Sequence, residues 1–290
     1  MSHLQLDQRP ELKAPIAVVA FGGWGDAANA ATNAARFFAR RLGARRFASI
    51  DPEPFYVSTA TPPIVRLDFR GQRQISWPSN EFLYARNPTG QHDFVVSVGV
   101  EPNLRWRTFA SIYRDLFVDL GVDLVVSLGA LIADVLHDEP ARVIGSTPDP
   151  SMTQRLNLEP SRYEGPTGIT GTLHTLLQAS RIPAASLWAS VPPYITTTQS
   201  PPATLGLVQR LRQLVDIPID VSELESASKR FVAQVDQAIA GNEELSEYVR
   251  RVRALRAELA SEDEGAAGLP EGKDLLGDIE RFLRDNRADD

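Results

Sequence analysis

Gly23, Gly25 and Ala28 stand at the spacing G-x-G-x-x-[GA], directly after the apolar run Ile16 to Phe21 and ahead of a helix-forming stretch. At that spacing glycines let the chain turn sharply and approach a pyrophosphate, which backbone N–H groups at the helix start then hold. Asp51 ends the next β-branched run at about the distance at which a dinucleotide-binding oxidoreductase places its ribose-binding acid. Trp24 between the glycines, Gly22 ahead of them, and Pro52 and Pro54 after Asp51 count the other way. The second reading is a tight turn whose Asp26 caps a helix. The pattern alone leaves the two balanced.

A second loop, GPTGITGT, places Pro166, Thr167, Gly168 and Thr170 just before the apolar period Leu173, Leu176, Leu177. Its backbone N–H groups could hold an anion, although capping by Thr167 or Thr170 is the simpler account. A third stretch, VPPYITTTQSPP, offers Tyr194 as a pocket wall or serves as a rigid exit loop. Both glycine loops follow strands, and ligand crevices form beyond the carboxyl ends of strands. The expected cleft therefore gathers Gly22, Gly23, Trp24, Gly25, Asp26, Pro166, Thr167, Gly168, Thr170 and Tyr194.

A catalytic constellation does not assemble from the rest. Ser127 lies outside any G-x-S-x-G elbow, and neither H-E-x-x-H nor G-x-x-x-x-G-K-[ST] occurs. His3 falls in a terminal stretch read as mobile. His92, His137 and His174 have no partner at metal-ligand spacing and read as surface or helix-end residues. No metal and no cofactor is expected on this basis.

The elements that must position these residues alternate. Ile16 to Phe21 predicts a strand, Ala27 to Leu42 a helix and Phe47 to Ile50 a strand. IVRLDF, RQISW and EFLYA follow without a helix and predict an antiparallel excursion. DFVVSVGVE, Leu104 to Leu120, DLVVSLGA, Leu131 to His137, RVIGST, the helix after PTGITG and AASLWASV then predict strand, helix, strand, short helix, strand, helix and strand. Runs apolar on both faces are what buried parallel strands need. The expectation is a three-layer α/β/α domain with a mostly parallel sheet over residues 15–215, after an N-terminal tail at 1–14. Leu224, Ala227, Phe231, Val235 and Ala238, and then Leu245, Val249, Val252, Leu255 and Leu259, predict a helical hairpin at 216–260. An acidic linker at 261–272 and a terminal amphipathic helix at 273–287 complete the chain.

Composition narrows the function classes. The 290 residues are 43% apolar, enough for a large core, and cysteine is absent, which removes disulfides, thiol nucleophiles and thiolate metal sites. The net charge of −7 is concentrated in residues 261–290, which hold ten acids and four bases, and the bases elsewhere are scattered. Nucleic acid is therefore not an expected partner. No stretch approaches the ~18 apolar residues of a membrane span, so no membrane association is expected and the location reads as cytoplasmic.

Taken together, FGGWGDAANAA, YEGPTGITGTL, VPPYITTTQSPPATLGLVQRL and EELSEYVRRVRAL resemble the PAC2 (proteasome assembly chaperone) family, especially its bacterial branch, over roughly residues 15 to 285. The resemblance implies a fold similar to purine nucleoside phosphorylases with a helical C-terminal addition. It also tilts the glycine loop toward a turn, since that loop is not known there as a dinucleotide site. The eukaryotic and archaeal members assist assembly of proteasome α-rings, so the resemblance implies a non-enzymatic interaction or assembly factor with a protein client. It further implies a homo-oligomer, with a trimer favoured. The alternatives are a phosphorylase-like small-molecule or anion-binding enzyme using the cleft and, behind it, an NAD(P) oxidoreductase. The sequence ends Ala288-Asp289-Asp290 rather than in the hydrophobic-Tyr-any tail of the archaeal members, and Pro193 stands where many bacterial members are expected to carry a histidine. The first departure points away from proteasome docking by a tail, the second away from catalysis in that loop.

Overall fold

The computed structural model describes residues 3–160, 164–195 and 199–263. In chain order its elements are β1 (Leu4–Leu6), β2 (Ile16–Gly22), a 3-10 turn at Ala27–Asn29 leading into α1 (Ala30–Arg41), β3 (Arg45–Ile50), β4 (Ile64–Leu67), β5 (Arg73–Ser76), β6 (Asn80–Ala85), β7 (Phe94–Val100) and α2 (Trp106–Asp119). There follow β8 (Leu124–Ile132), β9 (Val143–Thr147), α3 (Pro150–Leu156), β10 (Glu159–Pro160), α4 (Ile169–Ala179), β11 (Ala184–Val191), a 3-10 turn at Pro193–Ile195, α5 (Pro201–Leu214), α6 (Ser222–Ala240) and α7 (Glu243–Asp263).

Nine strands form one sheet in the order β1-β3-β6-β7-β2-β8-β11-β9-β10, and β4 pairs only with β5. β2 and β7 run parallel with Ile16 opposite Phe94 and Gly22 opposite Val100. β6 is antiparallel to both β3 and β7, and β9 is antiparallel to β11. The sheet is thus mixed, with helices flanking it, and the α/β class read from the alternation holds. β2 and β8 carry apolar side chains on both faces because both faces are covered: every residue of β8 except the last is buried.

The chain divides into two units. The first comprises Met1–Trp24, Ala35–Ser127 and Thr167–Ala185. Its core is aromatic, with Phe21, Phe55, Phe82, Phe109, Tyr113 and Phe117 buried together. Phe109, Tyr113 and Phe117 recur every four residues on α2, so one face of that helix presents a column of rings. Phe82 and Tyr113 have centroids 4.8 Å apart, within the range of favourable tilted ring pairs.

The second unit comprises Gly25–Ala34, Leu128–Pro166 and Ser186–Asp290. Leu131, Ala133 and Ile144 form one of its apolar clusters; Leu136, Val249 and Val252 form another, with Tyr194, Ile239 and Tyr248 packed around it. The expected helical hairpin is present as α6 and α7. Its apolar stripe is only half-covered along α6, which has no fully buried residue.

Several expectations need correction. Leu131 to His137 is not a helix: β8 continues to Ile132 and irregular chain follows, because the sheet ladder extends the apolar run in place of a helical turn. The tail at 1–14 is partly strand, with Leu4–Leu6 paired antiparallel on β3. His3 is held there, its carbonyl accepting from the Asp51 N–H and its ring edge-on to Phe55. α7 continues through Asp263, three residues into the stretch expected to be a linker. The rest of that linker and the terminal helix lie outside the described residues. No helix among the described residues is long and apolar enough to cross a membrane.

Candidate functional site

β2 and β7 end side by side in the first unit, and the segments leaving the two strands meet at Glu101. The Glu101 N–H donates to the Gly22 carbonyl at 2.8 Å, which extends the ladder one step past β7. The chain from Gly22 then turns at Gly23, whose φ of 132° lies where side chains are strained. A Cβ there would also stand 3.3 Å from the Glu101 Cβ. From this position the Glu101 carboxylate accepts from the Trp24 backbone N–H and, through Oε1, from the Ile169 N–H at 2.8 Å.

Ile169 is the first residue of α4, so Glu101 supplies the anion at that helix start. The expected Thr167 or Thr170 cap is absent: the capping position is Gly168, with no side-chain cap bond. A carboxylate from a neighbouring strand has taken the place a local hydroxyl would fill. Gly168 packs closely here: a Cβ would fall 3.0 Å from Glu101 Oε1, a tight fit, and 3.7 Å from Trp24 Cε3. Thr167 folds over Gly171 instead, and Thr170 sits in the first turn of α4. Gly22, Gly23, Trp24, Thr167 and Gly168 are therefore gathered around one acid that sequence reasoning misses. Its only signal is its place as the last residue of DFVVSVGVE, where a strand ends in a charge.

Burial raises the Glu101 pKa, and the two N–H donors partly offset that rise. A carboxyl held above its unfolded value binds protons in the folded state that the unfolded chain has released. Its contribution to stability therefore falls as pH rises from 4.5 through the raised value. Glu101→Gln keeps the shape but removes the charge that the two N–H donors face. It is expected to cost about 1–3 kcal/mol in denaturant melts. The deficit should shrink as pH rises through that window, because only the unmutated chain has this proton to lose.

Two further groups of the first unit, inert on sequence grounds, lie close together. Ser127 Oγ and His174 Nε2 are 2.9 Å apart, the spacing of a nucleophile and its base. Ser127 is buried within β8, however, and among the described residues no carboxylate is hydrogen-bonded to the imidazole. His174 is thus neither a surface nor a helix-end residue, but an α4 side chain packed on the sheet. Burial lowers its pKa to about 4. A depressed histidine contributes stability above pH 6.5 that is lost as pH falls toward 4, so the melting temperature of His174→Gln should fall less than that of the unmutated chain over that range. On the other side, Tyr56 donates to the Val100 carbonyl at 2.6 Å and accepts from Asn80, and burial pushes its pKa up to about 12.

The remaining residues of the expected cleft, Gly25, Asp26, Pro166 and Tyr194, belong to the second unit. Asp26 is buried and its carboxylate is engaged at the start of α1: Oδ1 accepts from the Ala31 and Thr32 N–H groups at 2.7 and 3.2 Å, and Oδ2 from the Thr32 hydroxyl at 2.6 Å. Gly25 does not have a positive φ, contrary to the turn expected there; Ala28 and Asn29 take the left-handed conformation, at φ 51° and 54°. Gly25 is small because a Cβ would lie 3.3 Å from the Trp188 ring. Tyr194 is bonded to His137, whose N–H donates to its hydroxyl at 3.1 Å and whose Nδ1 lies 2.9 Å from it. His137 Nε2 lies 3.0 Å from Asp236 on α6, so this histidine too is an internal tie and not a surface residue.

Close by, a cavity of about 40 Å³ is lined by Leu136, His137, Arg142, Ser190, Ser200 and Ala203, among others. Among the described residues the buried Ser190 hydroxyl has no hydrogen-bond partner. The start of α5 adds no free donor to this cavity, because Pro201 and Pro202 have no N–H and the Ala203 N–H is given to Ser200 Oγ.

The topology around the glycine loop is not that of a dinucleotide site. Asp51 follows β3, and β3 is separated from β2 by β7 and β6, about 14 Å at ~4.8 Å per step. Its carboxylate accepts from the Glu53 N–H in a local turn. In comparisons with known proteins, the family model described as PAC2 family matches residues 20–239. The chain belongs to the PAC2 family. A PAC2 family protein from Streptomyces avermitilis is 39% identical, with a TM-score of 0.74, the alignment covering 81% of this chain and 99% of that one. A proteasome-assembly chaperone homologue from Mycobacterium tuberculosis is 35% identical, with the same coverage and a TM-score of 0.72. PbaA from Pyrococcus furiosus, an archaeal homologue of proteasome-assembly chaperone, shares the fold at 18% identity and a TM-score of 0.56, over 86% of this chain and 98% of that one. No functionally curated protein matches. The PAC2 match spans both glycine loops, so the Glu101 junction lies within the family's part of the chain.

Proposed function

We propose that this PAC2 protein is a non-enzymatic assembly factor that binds a protein client and associates with itself. The observation that carries this reading is the state of two carboxylates, Asp26 in the first glycine loop and Glu101 at the end of β7, beside the second. Asp26 accepts from two backbone N–H groups at the start of α1, and Glu101 from the first N–H of α4 and from Trp24, so the places where a substrate anion would bind are filled by the chain's own anions. The Ser127–His174 pair supports the same view, the serine being buried and the imidazole without an orienting acid among the described residues. The description of the Mycobacterium tuberculosis relative as a proteasome-assembly chaperone homologue supplies the client class to try first.

The test mixes the purified full chain with separately purified proteasome α subunits and follows ring formation by native mass spectrometry. Faster ring formation, with a transient complex containing this chain, is the expected result. No complex and no change in rate at tens of micromolar would reject α subunits as the client. The phosphorylase-like alternative retains one observation in its favour, the exposed Trp24 ring beside Gly168. Phosphate-dependent cleavage of a nucleoside by the full chain, lost in Glu101→Gln, would establish that alternative instead.

A further inference from the structure

The cavity of the second unit carries polar groups that the proposed function does not use. β9 and β11 pair antiparallel with Val143 opposite Ala189, so the next pair along the ladder is Arg142 and Ser190. The Ser190 N–H donates to the Arg142 carbonyl at 3.0 Å. Directly opposed residues in such a ladder project to one face, with Cβ atoms about 5 Å apart. Arg142 and Ser190 both line the cavity, whereas Val143, Ala189 and Val191, which alternate to the other face, do not. The guanidinium and the hydroxyl therefore approach the cavity side by side.

Neither side chain is satisfied within the protein. Ser190 is 2% exposed, and among the described residues its hydroxyl makes no hydrogen bond. Folded proteins hold few such groups, and each has a reason. Arg142 is half-buried, and among the described residues no hydrogen bond or ion pair engages its guanidinium. A partly desolvated cation is stabilised by an anion, and the planar fork of arginine suits the paired oxygens of an oxyanion. His137 is a wall without a donor to give, since its two ring nitrogens are taken by Tyr194 and Asp236. Ser200, just ahead of α5, accepts from the Ala203 N–H at 3.4 Å and keeps its own O–H to donate.

We infer that this cavity is a binding site for one inorganic phosphate ion, to which Arg142, Ser190 and Ser200 donate. Its volume of about 40 Å³ admits about three waters or one small oxyanion in their place, and leaves no room for a sugar or a base. Glu139, another wall residue, selects among oxyanions. Phosphate keeps a P–OH at neutral pH, which donates to a carboxylate, whereas sulfate has only acceptor oxygens and is repelled by one. Glu139 takes part in a further interaction, but a carboxylate has about four acceptor positions, so one contact does not exhaust it. All of these residues belong to the second unit, and none is shared with the Glu101 junction.

Isothermal titration calorimetry of the full chain with sodium phosphate, and with sodium sulfate at the same ionic strength, tests it. The expected result is one phosphate per chain and sulfate binding weaker by about tenfold or more. Ser190→Ala and Arg142→Gln should each weaken phosphate by about tenfold or more, the loss expected for a charge-assisted or buried hydrogen bond. Arg230→Gln removes the same charge from an exposed position on α6 and should leave the affinity unchanged. Ser190→Ala deletes an unsatisfied hydroxyl, so without phosphate it should melt no lower than the unmutated chain, which separates lost binding from lost folding. The absence of saturable heat up to roughly 10 mM phosphate overturns the inference. So does equal affinity for sulfate, or phosphate binding that survives both Ser190→Ala and Arg142→Gln. The α-subunit experiment is decided separately, because the client reading uses none of these residues.

Discussion

Gly129→Ala is expected to produce one of the largest losses of stability of any single methyl group added to this chain. Gly129 lies in β8 with the Trp188 indole directly over it, and a Cβ would fall 2.4 Å from two ring carbons and 2.7 Å from a third. No real contact is that short, so the ring must move. Its far edge is 3.3 Å from the position of a Cβ on Gly25, which limits the room on that side. Overpacking of this kind costs about 1–3 kcal/mol, and more where neighbours cannot shift. For a chain of this size that corresponds to a melting temperature lower by roughly 2–5 °C. The same geometry orders two companions: Gly25→Ala should cost less than Gly129→Ala, and Trp188→Leu should restore much of the loss when combined with it. A melting temperature unchanged in Gly129→Ala alone would show that the indole is not confined as described.

Asp26→Ala should come next in size. Its carboxylate accepts from two backbone N–H groups of the first turn of α1 and from the Thr32 hydroxyl. Removal of a helix cap costs about 1 kcal/mol on an exposed helix. Here the site is buried, so the released donors find no water and the loss rises to about 3 kcal/mol. Asp26→Asn keeps one acceptor and should recover part of that. Chemical denaturation at constant slope gives the comparison. If Asp26→Ala unfolds at the same denaturant concentration as the unmutated chain, the carboxylate is not holding α1.

Some of this is legible in the sequence, and the legible parts share a cause. Runs such as IAVVAFG and LVVSLGALI are apolar at nearly every position, and only a strand covered on both faces has that pattern, so β2 and β8 are readable without partners. The α6 and α7 stripes are readable through their three- and four-residue spacing. Which strand lies next to which is not readable. Asp51 follows a strand at a convincing distance from the glycines, and the intervention of β7 and β6 between β3 and β2 shows in no local spacing. Glu101 is hidden for the same reason: its partners are Trp24 and Ile169, 77 and 68 positions away, and an acid at a strand end carries no mark of the helix it will cap. The glycines can be located but not explained. Gly23 is needed for its backbone angle and Gly129 for the indole, while Gly25 and Gly168 pack tightly against the indole and the carboxylate oxygen, and these reasons look alike in the sequence.

The Glu101 contact also sets a threshold for any competitor. A carboxylate fixed on a strand end beside two N–H groups acts as a ligand that is always present, at an effective concentration far above the millimolar range typical of short flexible tethers. Free phosphate or a soluble carboxylate at cellular concentration would have to exceed that figure before it occupied the start of α4. Displacement thus becomes a question of geometry more than of affinity: only a partner that draws Trp24 or Gly168 away from Glu101 lowers the local concentration and opens the site.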